Sequence, residues 1–205
     1  LKTLEIIYEQ GLLPEPAYIF KHAVIQDVAY NSLLKERRRE LHRAVGAAIE
    51  ELYPDRLSEH CEELAHHFSQ GEDWTKAFEY LVRSGDRAKD AYANSAALDW
   101  YARALDAAGR AAPPVPRRRV AELHQRRCQI LVGVARLNDA IAEGERMLEL
   151  ARGESDRHFE GEALADIAYA HFVTLSWEHM GDFKRYAEEA LEVAREVGDE
   201  RLLAR

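Results

Sequence analysis

The side chains with the greatest potential for chemistry lie close together in the sequence, at His60, Cys61, Glu63 and His67. Imidazole, thiolate and carboxylate groups are the ligands that zinc prefers, and a structural zinc site uses four of them. Cys61, however, also belongs to a helical apolar stripe made of Leu57, Cys61, Leu64 and Phe68. Since no second pair of ligands stands at metal spacing, we predict no metal site, with the histidines on a helix surface and the cysteine in the core.

Two further histidines, His22 and His124, could also take part in chemistry. His124 and Cys128 are four residues apart, and we interpret them as a surface histidine and a core cysteine. His22 stands one helical turn from Gln26, but a catalytic histidine needs a nucleophile or an acid partner in reach, and the sequence identifies none. We therefore predict that His22 is buried and hydrogen-bonded within an N-terminal core.

Phosphate chemistry also lacks its usual residues. The sequence contains no Gly-x-x-x-x-Gly-Lys-Ser/Thr loop that could cradle a nucleotide. We expect no catalytic residue, no cofactor and no enzymatic activity in this chain.

Two basic clusters, Arg37–Arg39 and Arg117–Arg119, are the remaining candidates for ligand contacts. Each has acidic neighbours within a turn, which favours a solvated helix face or an interdomain network of ion pairs. Phosphate contacts of a DNA-bound module are the alternative for Arg37–Arg39. The net charge of −9 argues against a general nucleic-acid-binding surface, because such binding requires a basic face.

The composition predicts a helical protein without membrane spans. Of 205 residues, 47% are hydrophobic and 32% charged, with only 11 glycines and 6 prolines to interrupt long elements. No apolar run approaches the ~20 residues that cross a bilayer. Two cysteines are too few for a disulfide framework, which favours the cytoplasm. Because residue 1 is leucine, we interpret the chain as part of a larger protein.

The elements that would position these residues are almost all helices. We predict the end of a helix over Leu1–Glu9, a short strand at Tyr18–Phe20, and a charged hinge over residues 35–40 that leads into a helix ended by Pro54. Asp73 is expected to cap a helix that begins at Trp74, and Asn94 with Ser95 to cap the next one. A linker follows over residues 111–116, and further helices are predicted over 117–134, 138–152, 157–177 and 182–197.

The helices recur with a period. The second helices of successive pairs are expected to begin near Ser95, Asn138 and Asp182, which lie 43 and 44 residues apart. Small residues recur at matching places and would let helices approach closely; they are Ala65, Ala77, Gly85, Ala97, Cys128, Ala140, Ala168 and Ala187. We predict an all-α solenoid of antiparallel helix pairs, with residues 1–53 forming a different unit and residues 54–205 forming the repeats.

These repeats resemble the tetratricopeptide family, in the order Leu64-Ala65, Phe68, Ala77 and Leu81, although the family's usual period is about 34 residues. The segments 18–34, 37–42, 64–68 and 71–74 resemble the junction between a winged-helix module and the repeat array of STAND-type ATPases. Such junctions occur in bacterial class III adenylate/guanylate cyclases and in LuxR-type transcription activators. The resemblance implies a winged-helix-like remnant at the N-terminus and a sensor or coupling arm whose nucleotide site lies upstream.

A tetratricopeptide-like array binds extended or helical peptides in a groove lined by the first helix of each pair. We expect a protein or peptide partner, together with upstream domains of the same chain, and neither nucleic acid nor membrane. The helical phase selects as candidate protein-binding residues Glu62, His66, Asp86, Lys89, Gln125, Gln129 and Tyr169.

Overall fold

A small antiparallel sheet opens the molecule. The computed structural model describes residues 6–10, 17–174 and 180–203, and it begins with strands β1 (Ile7–Gln10) and β2 (Ala17–Phe20). Ile7 lies opposite Phe20 in the register. The strand at Tyr18–Phe20 is confirmed, whereas the helix over Leu1–Glu9 is wrong for the described residues 7–9, because pairing with β2 outweighs their helical spacing. Residues 1–5 of that prediction lie outside the described part.

Ten α-helices follow the strands in the described part of the chain. They are α1 (Ala23–Ser32), α2 (Lys35–Leu52), α3 (Cys61–Gln70), α4 (Trp74–Asp90), α5 (Asn94–Arg110), α6 (Arg117–Gly133), α7 (Leu137–Gly153), α8 (Arg157–Val173), α9 (Met180–Val197) and α10 (Glu200–Leu203). As predicted, α2 stops before Pro54, which begins a single 3₁₀ turn. None of these helices combines the length and the hydropathy of a bilayer crossing.

The helices alternate between two layers. We call α2, α4, α6 and α8 the first helices, and α3, α5, α7 and α9 the second helices, because each first helix packs against the second helix that follows it. The second helices α5, α7 and α9 begin at Asn94, Leu137 and Met180, which confirms the period of about 43 residues. The first helices α6 and α8 begin at Arg117 and Arg157, a spacing of 40.

Five of the helix–helix turns share one backbone geometry. In each turn a residue in the left-handed region is followed by an amide that donates to the carbonyl five residues back, as in Asp73 to Phe68 and Arg136 to Leu131. The left-handed residues are Glu72, Tyr92, Ala135, Ser155 and Gly198. Only one of the five is glycine, so the sequence does not mark these turns in the usual way.

Small residues lie where the helices approach most closely. A Cβ atom added to Gly85 on α4 would lie 2.4 Å from the Tyr101 ring on α5, and one added to Gly144 would lie 2.5 Å from Ile167. Ala97 and Ala140 are fully buried, as their predicted role requires. The recurring small residues therefore allow neighbouring helices to pack closely against each other.

The hydrophobic core runs through the array without a gap. One cluster of buried side chains extends from Ile49 to Ala140 and includes Ala170, and a second extends from Ala121 to Val193. Ile141 on α7 packs against both clusters. The predicted linker at residues 111–116 does connect α5 to α6, but the core continues past it.

Several local predictions need correction. The predicted hinge at residues 35–40 is the first turn and a half of α2, because Arg39 pairs with Glu36 and Arg37 pairs with Glu40 at helical spacing. Helix α5 begins one residue early, at Asn94, so neither Asn94 nor Ser95 caps it. Helix α8 is described over Arg157–Val173, and residues 175–177 of the helix predicted there lie outside the described part.

Two histidines also lie elsewhere than predicted. His22 is exposed rather than buried, because the described sheet and α1 enclose no core; α1 has no buried residue. His124 is buried rather than on the surface, because Glu143 on α7 holds its ring by a hydrogen bond of 2.6 Å.

Candidate functional site

The first helices form one continuous layer, because polar side chains join each first helix to the next. Between α2 and α4, Glu50 accepts hydrogen bonds from Lys76 at 2.5 Å and from the Tyr80 hydroxyl at 2.6 Å. Between α6 and α8, the Gln125 amide donates to Asp166 at 3.3 Å and to Glu162 at 3.4 Å. Such contacts hold neighbouring repeats in a defined relation.

Two arginine–carboxylate pairs link α4 to α6. Arg126 donates to both carboxylate oxygens of Asp86, at 2.7 and 2.8 Å, and Arg119 donates two hydrogen bonds to Glu79. Asp86 also accepts a hydrogen bond of 2.6 Å from the Tyr101 hydroxyl. We call the links between first helices the interhelix ladder.

Hydrogen bonds to the ladder carboxylates Glu79 and Asp86 contribute to raised pKa values of Arg119 and Tyr101. The hydrogen bonds to Glu79 raise the pKa of Arg119. Burial and the hydrogen bond to Asp86 raise the pKa of Tyr101, whose hydroxyl therefore stays protonated. These shifts stabilise the charged arginine and the neutral phenol, which suits a structural role rather than proton transfer.

Three predicted binding residues occupy one register position of the first helices. Asp86, Gln129 and Tyr169 are each the thirteenth residue of α4, α6 and α8 respectively. Gln129 is exposed and Tyr169 is 57% exposed, whereas Asp86 is half-buried in its contacts with Arg126 and Tyr101. Lys89 lies one turn beyond Asp86 on α4 and is half-buried.

The other predicted residues lie in different surroundings. Gln125 is engaged within the ladder, as described above. Glu62 and His66 lie on α3, a second helix, because α2 occupies the place of the first helix in that pair. Glu62 is exposed and 3.6 Å from Arg87, and the exposed His66 ring approaches the rings of His42 and His67. The structure thus groups five of the seven residues in the first-helix layer and places two outside it.

The local sequence patterns do not predict the ladder. Its two arginine–carboxylate pairs, Glu79 with Arg119 and Asp86 with Arg126, both join residues forty positions apart. Residues of opposite charge that recur at nearly the repeat period are the sequence feature that could have predicted these pairs. Arg118 does pair with its acidic neighbour Glu122 at 3.3 Å, as predicted, and it also contacts the distant Asp156 at 2.6 Å.

The residues considered above as metal ligands or nucleophiles take part in core packing and local hydrogen bonds. Among residues 6–10, 17–174 and 180–203, no group of three His, Cys, Asp or Glu side chains has the geometry to hold a metal ion. Cys61 and Cys128 are both buried in the core, as predicted. His60 and Glu63 instead hydrogen-bond to each other at 3.2 Å.

Solved structures resemble this molecule in fold. A Signal Transduction ATPase with Numerous Domains (STAND) protein with a tetratricopeptide repeat sensor, from Pyrococcus horikoshii, matches 88% of the chain with a TM-score of 0.60 at 12% identity. The apo form of RapI matches 86% with a TM-score of 0.58 at 11% identity, and aspartyl phosphate phosphatase F from Bacillus subtilis matches 85% with 0.56 at 13%. The fold is a tetratricopeptide-like helical solenoid.

The likeness concerns only part of each relative. The chain spans 28% of the STAND protein, 63% of RapI and 45% of the phosphatase. No protein-family profile matches the sequence, and no curated protein sequence matches it either. At 11–13% identity these structures establish the architecture of the chain and not its activity.

Proposed function

We propose that the chain is a non-catalytic scaffold that binds a protein or peptide partner through its first-helix layer. The observation that carries this proposal is the continuity of that layer over four helices, fixed by the interhelix ladder. A surface held in advance in its binding shape loses little conformational entropy when a partner docks. Exposed large side chains, such as Tyr169 at 57% and Phe172 at 50%, offer contact area on the last of these helices.

The finer proposal places the scaffold in a larger regulatory ATPase. The junction-like segments between residues 18 and 74, and the likeness to the repeat sensor of a STAND protein, support this context. Residues 1–53 would then connect the ATPase module to the repeats of residues 54–205, with α2 acting both as the connecting helix and as the first helix of the first packed pair. We favour a protein linked to a nucleotide cyclase, with any nucleotide site upstream, and the alternative is the effector-sensing arm of a LuxR-type activator. A cyclase domain in the same reading frame supports the first, and a helix-turn-helix domain the second.

The structure divides the proposed binding residues by their availability. Lys89, Gln129 and Tyr169 belong to the first-helix layer and are not committed to the ladder, so they are the proposed contact residues. Asp86 and Gln125 are proposed to act indirectly, by holding the layer together. Glu62 and His66 would contribute only if the partner also reached α3.

The test is capture of partners by the intact chain, compared between variants. Lys89→Glu, Gln129→Arg and Tyr169→Ala alter the proposed contacts without breaking the ladder. Glu149→Lys, an exposed change on the second helix α7, is the matched control. We expect the three first-helix variants to lose proteins that the wild type and Glu149→Lys both retain. Equal capture by all four variants and the wild type would refute this choice of surface.

A further inference from the structure

A row of aromatic and imidazole rings connects three helices near the start of the array. The Tyr30 hydroxyl on α1 lies 3.0 Å from Nε2 of His42 on α2, and Nδ1 of His42 lies 3.0 Å from Nδ1 of His67 on α3. The His66 ring is also close, with its centroid 5.6 Å from that of His42 and 5.4 Å from that of His67. We call Tyr30, His42, His66 and His67 the histidine joint.

The contact between the two Nδ1 atoms limits the number of protons that the joint can hold. A hydrogen bond between two ring nitrogens requires a proton on one and a lone pair on the other. If His42 alone takes up a proton, its Nδ1–H still donates to His67 and its Nε2–H donates to the Tyr30 oxygen. If His67 also becomes charged, two N–H groups and two positive charges face each other across 3.0 Å.

The surroundings do little to compensate a second charge. His42 faces Tyr30 from α1, His66 and His67 from α3, and Arg38 from its own helix; of these groups Arg38 and the two imidazoles disfavour its protonation. On α3, Glu63 favours the charge on His67, but its carboxylate is hydrogen-bonded to His60. Within the described part of the chain, neither His42 nor His67 forms an ion pair with a carboxylate. The arrangement therefore favours the neutral pair.

We propose that the histidine joint is a proton-operated contact, in which protonation of both His42 and His67 separates α2, and α1 with it, from α3. Solvent supplies the two protons, and no covalent bond changes. The joint lies where residues 1–53 meet the repeats, so it would regulate the coupling between them. That biological consequence rests on the proposed function, whereas the separation itself does not.

The direction of the pKa shifts of His42 and His67 sets the pH range in which the histidine joint opens. Burial, and then the charges of neighbouring histidines, lower the pKa of His42 and of His67 below the ordinary value of 6.5. The folded state thus takes up these protons less readily than the unfolded chain. The contact between His42 and His67 is fully formed above pH 6.5. It is lost as the pH falls from 6.5 through the lower pKa values that the two histidines have in the folded state.

Hydrogen exchange by mass spectrometry tests the proposal on the intact chain. Protection factors of amides in α1, α2 and α3 are compared at about pH 7.5 and about pH 5, corrected for intrinsic exchange rates. In the wild type we expect a several-fold loss of protection in α1 and α2 at the lower pH, with α5 to α8 unchanged. His42→Gln and His67→Gln should each abolish this pH dependence, because each variant keeps only one of the two imidazoles whose Nδ1 atoms face each other.

Controls separate the joint from other histidines and from loss of folding. His22→Gln changes an exposed histidine outside the joint and should keep the wild-type response. Tyr30→Phe keeps the imidazole pair, so α2 should still respond to pH while α1 is less protected at both pH values. Wild-type protection in α1 and α2 that does not change with pH would overturn the proposal, whatever the partner-capture experiment shows.

Zinc distinguishes a proton-operated contact from a metal-binding one. The joint as described should give the same melting temperature at pH 7.5 with and without one equivalent of Zn²⁺. A zinc-dependent increase that disappears in His42→Gln would show that the imidazoles bind metal, and it would overturn the proposal.

Discussion

Glu143 shows how a single buried charge is accommodated in the array. Its carboxylate on α7 is 4% exposed and accepts hydrogen bonds from His124 at 2.6 Å and Arg127 at 2.9 Å, both on α6. Burial alone would raise its pKa, but the hydrogen bonds and the charges of these partners outweigh burial and lower the pKa to about 2. The same carboxylate thus ties the first helix of its pair to the second.

The consequence is a pH-dependent contribution to stability. A carboxyl whose pKa falls from 4.5 to about 2 on folding stabilises the folded state by about 3 kcal/mol above pH 4.5. That contribution is lost as the pH falls from 4.5 towards 2. We expect Glu143→Gln to reduce the free energy of unfolding by about 3 kcal/mol at pH 7, measured by urea denaturation. The difference from the wild type should shrink below pH 4.5, and a constant difference down to pH 2 would contradict the assigned cause.

At the scale of elements, capping decides where several helices begin. The Asp73 carboxylate accepts a hydrogen bond from the Lys76 amide at 3.2 Å, which confirms its predicted role as the cap of α4. Asp156 caps α8 through the Phe159 amide at 3.1 Å, and Asp199 caps α10 through the Leu202 amide at 3.1 Å. The helices α4, α8 and α10 therefore begin in the same way, with an aspartate side chain that caps the first turn.

Because a side chain caps α4 but not α5, we expect two similar substitutions to reduce stability by different amounts. Asp73→Ala removes an acceptor from the first turn of α4 and should destabilise the chain by about 1 kcal/mol. Ser95→Ala lies in the first turn of α5, where the residue before the helix is Ala93 and no side chain caps it, and should change stability by less than about 0.5 kcal/mol. Thermal and urea unfolding of both variants provide the comparison. Equal losses would mean that Ser95 does cap α5.

At the scale of the whole molecule, the question is whether charge or packing joins the repeats. Glu79 and Arg119 link α4 to α6, but their side chains are 37% and 40% exposed. Ion pairs at such exposure contribute about 0–1 kcal/mol, and salt screens them. Leu164, by contrast, is fully buried in the second core cluster. We infer that the core provides the stability and that the ladder sets the relative positions of the first helices.

A double-mutant cycle tests this division. The coupling free energy between Glu79→Gln and Arg119→Met should be below about 1 kcal/mol and should approach zero in about 1 M NaCl. Leu164→Ala should cost about 2–5 kcal/mol, independent of salt. Both quantities come from urea denaturation at two salt concentrations. A salt-insensitive coupling of several kcal/mol would assign the ladder a stabilising role instead.

Features of this protein that depend on local spacing can be predicted from its amino-acid sequence. Helical periodicity, the break at Pro54, the cap at Asp73 and the recurrence of small residues near every 43 positions suffice to predict antiparallel helix pairs, because each signal acts within one or two helices. The core positions of Cys61 and Cys128 follow from the same periodicity. Five of the seven candidate binding residues lie on first helices, and their role in binding stays a prediction.

Features that depend on contacts between distant segments become visible only in the folded molecule. The pairing of Asp86 with Arg126, of His124 with Glu143 and of His42 with His67 joins residues 40, 19 and 25 positions apart, and no local pattern selects these partners. The strand at Ile7–Gln10 likewise forms because β2 offers it hydrogen bonds. Four turns place non-glycine residues in the left-handed region, where the packing of the flanking helices outweighs the local preference.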